Sequence, residues 1–173
     1  MEIIILMMGG KYMNEQILKD INDALAGINN VCIFVDFDNL YYTMRNYAVD
    51  VTNNQYDVCH FLNECYGKDK IRGFRAYADF EQVNVSLRKL QENRVQIRNV
   101  YGNNKDDKYR KNASDIELSI DAIEMTYRNN DIDTYVIVTS DSDMIPIMSR
   151  LKYKGEKSSF ILHQSKYSSN CTF

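Results

Sequence analysis

The sequence predicts an α/β fold, a three-layer sandwich in which helices cover both faces of a mainly parallel, five-stranded sheet. Short apolar runs of the kind found in buried parallel strands alternate with segments of helical periodicity. Two of these runs, VCIFVD and TYVIVT, are each followed by an acidic residue at the second position beyond the run. In a parallel α/β sheet the working site lies beyond the carboxyl ends of the strands, so these acids are the first candidates for function.

Five segments are predicted as strands because they are rich in β-branched and aromatic residues and are bounded by polar groups. They are Val31–Asp36, Ile71–Ala78, Arg94–Tyr101, Thr134–Thr139 and Lys157–Leu162. Right-handed crossovers between parallel strands bring their carboxyl ends to one edge of the sheet. The acids that follow the first and fourth strands are therefore expected to lie close together.

The helix predicted over Ser114–Tyr127 is the one that concerns the site. Ser114 and Glu117 have the spacing of a capping box, so the helix is expected to begin there, after a polar and basic loop at 102–113. Apolar side chains recur on one helical face, which is expected to cover the sheet: Ile116, Ile120 and Ile123. Glu117, Asp121 and Glu124 are expected on the solvated face.

One folded domain is expected over 31–162, preceded by an extension with a helix at 1–30 and followed by a tail at 163–173. No apolar run approaches the roughly 18 residues of a membrane helix, and MEIIILMM lacks the features of a signal peptide. The four cysteines form no CxxC pair, which favours free thiols in a reducing cytoplasm.

Charge is distributed unevenly along the chain. The net charge of −3 argues against a protein that coats nucleic acid by bulk electrostatics. Basic side chains prevail in 68–111 and 144–173, whereas acidic ones prevail in 1–67 and 112–143, the segments that carry the candidate site. The basic segments are suited to contact phosphate groups around that site.

Pairs of acids end the first and fourth strands. A helix cap explains one acid of each pair but not the second, because crowded carboxylates repel one another. A divalent cation removes that repulsion, and oxygen ligands without His or Cys suit Mg²⁺ or Mn²⁺. Such a site cleaves phosphodiesters by activating water and neutralising charge on the phosphate. The acids concerned are Asp36, Asp38, Asp141 and Asp143, with Asp115 expected at the start of a helix.

The chain resembles the NYN domain family, a branch of the PIN-like nucleases. The resemblance runs through VDFDNLYY at 35–42, RAYADF at 75–80, KNASDIELSIDAIEM at 111–125 and TSDSDMIPI at 139–147. It covers roughly 31–162 and implies a PIN-like parallel sheet. It also implies endonucleolytic hydrolysis of RNA with Mg²⁺ or Mn²⁺.

The resemblance also implies a role for each matching residue. The catalytic and metal-binding residues would be Asp36, Asp115, Asp141 and Asp143. The supporting residues would be Asn39, Asp38, Asp121 and Ser140. Asp121 is the less favoured of these, because six residues turn a helix by about 240° from Asp115. The Lys-Gly pair that often precedes the helix-start acid in the family is replaced here by Asn112 and Ala113.

RNA is the expected partner, and either a homodimer or a partner protein is expected to contribute to targeting. Five residues of the basic loop are candidates for contacts with RNA: Lys105, Lys108, Tyr109, Arg110 and Lys111. No membrane partner is expected.

Three alternatives to a ribonuclease remain open. The form Asp36-Phe37-Asp38 also occurs in phosphatases of the haloacid-dehalogenase type, in which the first Asp attacks phosphate covalently. A non-catalytic module that binds RNA or protein through the same pocket is the second, and a DNA-directed nuclease is the third.

Overall fold

The computed structural model describes residues 3–4, 27–46, 57–101, 107–153 and 157–162. The predicted N-terminal helix and C-terminal tail lie outside these residues. One sheet of six strands runs through the described part, in the order β1-β6-β5-β2-β3-β4, and all of its pairings are parallel. The strands are β1 (Ile3–Ile4), β2 (Val31–Asp36), β3 (Ile71–Ala78), β4 (Gln96–Asn99), β5 (Thr134–Thr139) and β6 (Lys157–Leu162).

All five predicted strands are present, but the prediction of a five-stranded sheet is wrong by one strand. The addition is β1, which pairs with Phe160 and Ile161 at the edge of the sheet. Two residues are too few to show the period-two pattern that identifies a strand in a sequence, so β1 could be found only from its pairing.

Five helices connect the strands of the described chain. They are α1 (Phe37–Asn46), α2 (Val58–Tyr66), α3 (Leu87–Glu92), α4 (Asp107–Arg128) and α5 (Ile145–Tyr153), with a short 3-10 turn (Ser142–Met144) before α5. Asp57 caps the start of α2, and Gly67 ends it in a left-handed conformation with φ of 81°.

Two hydrophobic cores lie on opposite faces of the sheet, which makes the fold a three-layer sandwich. Alternate residues of β2 point to opposite faces, as the pleat of a strand requires. Ile33 and Val35 pack with the helices α1, α2 and α3, whereas Phe34 packs with α4 and α5. Phe34 stacks between Tyr77 and Tyr135, with ring centroids 6.5 Å and 6.3 Å away.

Helix α4 begins seven residues before the predicted start at Ser114, so the loop predicted at 102–113 is helical from Asp107 onward. The segment KYRKNA contains neither Gly nor Pro, and Lys, Arg and Ala are good helix formers. The absence of the Lys-Gly pair thus removes the residue that would have broken the helix. The predicted capping box is wrong, because Ser114 is buried inside the helix.

The buried face of α4 is also not the predicted one. Leu118 and Ala122 are fully buried against the sheet, whereas Ile116 and Ile120 are 58% and 50% exposed. The helix carries two apolar stripes, and periodicity alone predicted that the more hydrophobic one is buried. In the structure the other stripe is buried against the sheet, because that rotation of the helix also directs Asp121 to the arginines of β3 and β4.

Three cysteines in the described residues, Cys32, Cys59 and Cys65, are free thiols, as predicted. Burial raises the pKa of Cys32 and of Cys65 to about 11, so both are held in the unreactive thiol form. None of the helices in the described ranges has both the length and the apolar character needed to span a bilayer.

Candidate carboxylate site

Three neighbouring parallel strands end at the same edge of the sheet, and each is followed by acidic residues. Strand β2 ends with Asp36, β3 is followed by Asp79, and β5 is followed by Ser140 and Asp141. Since β2 lies between β5 and β3, Asp36 stands at the centre of this edge.

Asp36 is a buried acid, only 1% exposed, that contacts a second acid. One carboxyl oxygen accepts the N–H of Asn39 at 3.2 Å, and the other accepts the hydroxyl of Thr139 at 3.0 Å. Burial raises the pKa of Asp36 well above its ordinary range. The negative charge of Asp115 and a hydrogen bond between the two carboxyl groups raise the pKa of Asp36 further. Two carboxyl groups share a hydrogen bond only when one holds a proton, so the pair binds either a proton or a cation in its place.

Asp115 reaches this position from the interior of α4, not from its beginning. The helix starts at Asp107, so Asp115 lies in the third turn, beyond the reach of the N-terminal dipole. The structure brings Asp115 and Asp36 together, but the predicted position of Asp115 at the start of the helix is wrong. Packing of α4 across β2 and β3 is what sets its place.

Asp38 and Asp79 form a second pair of acids beside the first. The N–H of Asp79 lies 3.2 Å from both carboxylate oxygens of Asp38. Burial raises the pKa of Asp38 to about 6, against the lowering effect of that N–H and of the Ser114 hydroxyl. The charges of Asp79 and Asp115 add to the rise.

Asp79 is a site residue that the sequence reasoning missed. The signal was available in the motif RAYADF, because Asp79 directly follows a strand, like the acids after the first and fourth strands.

Asp141 caps the turn after β5, as the capping interpretation requires. Its carboxylate accepts the N–H of Asp143 at 2.9 Å, and its own N–H donates to the Thr139 hydroxyl at 3.0 Å. Asp143 is exposed. Among the described acids, Asp115 is the one whose charge raises the pKa of Asp36. Asp141 is linked to Asp36 indirectly, because the Thr139 hydroxyl donates to Asp36 and accepts the N–H of Asp141.

Asn39 ties the two acidic motifs together, in the manner expected of a supporting residue. Its side-chain oxygen accepts the N–H of Ser140 at 3.0 Å and is also hydrogen bonded to the Ser140 hydroxyl. That hydroxyl lies 3.0 Å from the hydroxyl of Thr43 on α1. The turn after β5 is thereby fixed to the start of α1.

Asp121 is directed away from Asp36, as the rotation of about 240° along the helix predicts. Its carboxylate accepts the Tyr77 hydroxyl at 2.6 Å and lies 3.2 Å from Arg75 and 3.5 Å from Arg98. The predicted placement of Asp121 on the solvated face is therefore wrong, because its charge is neutralised by two arginines against the sheet. Burial and this hydrogen bond raise the pKa of Tyr77.

The residues predicted to contact RNA fall on the first turns of α4 instead of a loop. The backbone of Lys108, Tyr109, Arg110 and Lys111 is helical, whereas Lys105 lies outside the described residues. Tyr101, which precedes this segment, is largely exposed.

The side chains beside Asp36 offer carboxyl and hydroxyl oxygens as potential metal ligands, from Asp115 and Thr139, and such a set fits a hard divalent cation. Within the described ranges, no three His, Cys, Asp or Glu side chains are grouped closely enough to hold a metal ion as they stand. Among the described residues, Asp36 and Asp115 are therefore a pair of acids in contact and not a complete set of metal ligands.

A cavity of about 550 Å³ lies at the opposite, amino-terminal end of the sheet. Asn30, Cys32 and Arg72 contribute to its lining, and none of the predicted site residues does. It is separate from the carboxylate site.

The family model described as "NYN domain" matches residues 30–172 of the chain. No match was found among curated proteins. Among solved structures, the chain is similar to the crystal structure of VPA0982, a protein of unknown function from Vibrio parahaemolyticus, with a TM-score of 0.59 and 19% sequence identity. The similarity covers 81% of this chain and 96% of that one, and it shows a shared fold.

Proposed function

The chain belongs to the NYN domain family of PIN-like nucleases, and on that basis we propose that it is a ribonuclease dependent on Mg²⁺ or Mn²⁺ that cleaves RNA internally. The observation that carries the proposal is the contact of Asp36 with Asp115 at the carboxyl edge of the sheet. A buried pair of acids destabilises a fold on its own, and a divalent cation turns the same pair into a binding site.

The residues that would hold the cation are Asp36 and Asp115, joined by Asp141 and Asp143 from the turn after β5. A divalent cation held there supplies a Lewis acid that activates water and neutralises charge on the scissile phosphate. Asn39 and Thr139 orient the Asp36 carboxyl by donating to its two oxygens. Ser140, held by Asn39, keeps the turn that carries Asp141 in place.

Asp38 is proposed to move a proton at this site. Its pKa of about 6 lies close enough to neutrality for the carboxyl to accept or release a proton there. Asp79 positions it through the N–H that both carboxylate oxygens accept.

The proposed substrate is single-stranded or looped RNA. The basic residues around the start of α4 would contact its phosphates, and exposed tyrosines such as Tyr101 would stack on its bases. A partner that guides the RNA to the site is part of this proposal.

Cleavage of labelled RNA with Mg²⁺ or Mn²⁺ tests the proposal. Asp36→Asn and Asp115→Asn should each lower the cleavage rate by at least about 100-fold, since each removes a charge that holds the cation. Asp131→Asn, which changes an exposed acid remote from this edge, is the matched control and should keep the wild-type rate. Chelation of the metal should abolish cleavage.

A parallel assay with a DNA strand of the same sequence shows whether the protein cleaves RNA, DNA or both. RNA cleavage that persists in Asp36→Asn would contradict the proposed site, although the proposed activity would stand. If folded wild-type protein leaves RNA intact with both Mg²⁺ and Mn²⁺, the proposed activity is contradicted.

One observation favours a binding module as the second candidate: no three acidic side chains of the described chain lie close enough together to hold a metal ion as they stand. Cation binding without cleavage would support that alternative. A phosphatase that uses Asp36 as a nucleophile is disfavoured, because this carboxyl is buried and its pKa is raised, whereas a nucleophilic carboxylate must be ionised and reach its substrate.

A further inference from the structure

The outer surface of α4 carries four apolar side chains on one stripe. Ile116, Ile120 and Tyr127 are 58%, 50% and 68% exposed, and Ile123 is half-buried between them. These four residues are called the outer stripe. Their spacing of four, three and four residues places them on one helical face over about three turns.

The outer stripe points away from the sheet. Ile116 and Ile120 each lie two residues from Leu118, which is fully buried, and two residues turn a helix by about 200°. A helix that packs on a sheet normally presents charged or polar residues on this side. Contiguous exposed apolar side chains on such a face mark a surface that another protein covers.

We propose that the outer stripe binds the outer stripe of a second copy of this chain, with the two α4 helices antiparallel about a two-fold axis. The spacing of the stripe is symmetric about the midpoint between residues 121 and 122. An antiparallel pair therefore sets Ile120 against Ile123 of the other copy and Ile116 against Tyr127 of the other copy. A two-fold interface requires this kind of self-complementary patch.

Charges along one side of the stripe favour the antiparallel arrangement. Glu117, Glu124 and Arg128 follow one another at helical spacings on the same side, and Arg128 forms an ion pair with Glu124 at 3.0 Å. Antiparallel pairing brings Arg128 of each copy within about one turn of Glu117 of the other. Parallel pairing would instead place these charges of the two copies on opposite sides of the interface, where Arg128 does not meet Glu117 of the other copy.

This dimer is independent of the nuclease proposal, since the outer stripe lies on the far side of α4 from the sheet. It does have a geometric consequence for the site. The two Asp115 residues would lie about 20 Å apart along the paired helices.

Sedimentation of the full chain tests the interface. We expect the wild type to dimerise and Ile120→Glu to raise the Kd by at least about 30-fold, because a charge is buried at the centre of an apolar contact. The matched control is Leu87→Glu, which places the same charge at an exposed leucine on α3, in the opposite layer, and should dimerise like the wild type. Helix content measured by circular dichroism shows that each variant is folded.

A wild type that sediments as a monomer overturns the proposal, and so does an Ile120→Glu variant that dimerises as well as Leu87→Glu.

The antiparallel orientation of the two α4 helices has its own test. A mixture of Ile116→Cys and Tyr127→Cys proteins should cross-link with a short thiol reagent above the background of the wild type, whereas Ile116→Cys alone should not. Cross-linking of Ile116→Cys alone would show a parallel pair and overturn the proposed arrangement.

Discussion

At the scale of the single residue, Asp36 is held between opposing influences on its charge. The N–H of Asn39 and the hydroxyl of Thr139 donate to its oxygens and favour the ionised carboxylate. Burial and the neighbouring Asp115 oppose ionisation and prevail, so the pKa is raised. A divalent cation would favour the ionised form of such a buried carboxyl group, because it offsets both the loss of hydration on burial and the repulsion by Asp115.

Thr139 is the residue whose removal should show this balance. Its hydroxyl donates to Asp36 and accepts the N–H of Asp141, so Thr139→Val breaks both hydrogen bonds at constant shape. We expect cleavage to fall by about 10- to 100-fold and the free energy of unfolding to fall by about 1–3 kcal/mol. RNA cleavage assays and urea denaturation measure the two effects.

Thr139→Ser is the control for this prediction, because it keeps the hydroxyl and loses only a methyl group. It should retain most of the activity. Equal losses in the Val and Ser variants would mean that packing, and not the hydroxyl, is what matters at this position.

At the scale of the element, α4 determines which acids meet. The same rotation that buries Leu118 and Ala122 brings Asp115 to Asp36 and Asp121 to Arg75. A rotation that buried the isoleucines would have turned these polar contacts away from the sheet. The carboxylate site therefore depends on the polar partners of this helix as much as on its apolar face.

Truncation of one residue from each stripe distinguishes the two faces of α4. Leu118→Ala should lower the free energy of unfolding by about 2–5 kcal/mol, because it leaves a cavity against the sheet. Ile120→Ala should change it by less than about 1 kcal/mol in dilute protein, where Ile120 is half exposed. Chemical denaturation of both variants measures the difference, and a larger loss in Ile120→Ala would contradict the observed rotation.

At the scale of the whole molecule, acids from the ends of three strands and from two helices meet at one edge of the sheet, and folding must accommodate them. The pKa of Asp38 rises from 3.8 to about 6, and that of Asp36 rises as well. A folded state with raised acid pKa values binds more protons than the unfolded chain between those values. Stability is therefore lost as the pH rises through this window.

Without divalent ions, we expect the contribution of these acids to the free energy of unfolding to decrease from about pH 4 to about pH 6. Urea denaturation across this range, in wild type and in Asp38→Asn, measures it as a difference, and the variant should show the shallower decrease. Mn²⁺ at neutral pH should restore stability to the wild type, because it binds the folded state.

Glu92→Gln, which changes an exposed acid of α3, is the control and should follow the wild-type pH profile. A steeper decrease in Asp38→Asn than in the wild type would contradict a raised pKa for Asp38.

Much of the site was accessible from the sequence, because strand ends are local features. Asp36 and Asp141 were predicted as acids at the ends of apolar runs, and the family resemblance implied Asn39 as a supporting residue. Asp79 also follows a strand but was not predicted as a site residue. Thr139 was missed because a strand-terminal threonine has no distinctive pattern until its hydroxyl is seen between two acids.

The sequence by itself determined the α/β class, the five principal strands, the edge of the sheet that carries the acids and the resemblance to the NYN family. These follow from apolar periodicity and from short motifs, which depend on neighbours along the chain. Only the tertiary structure decided the rotation of α4, the contact of Asp115 with Asp36, the withdrawal of Asp121 to Arg75 and Arg98, and the sixth strand. The physical reason is that α4 carries two apolar stripes, and which of them is buried depends on hydrogen bonds and ion pairs with residues distant in the sequence.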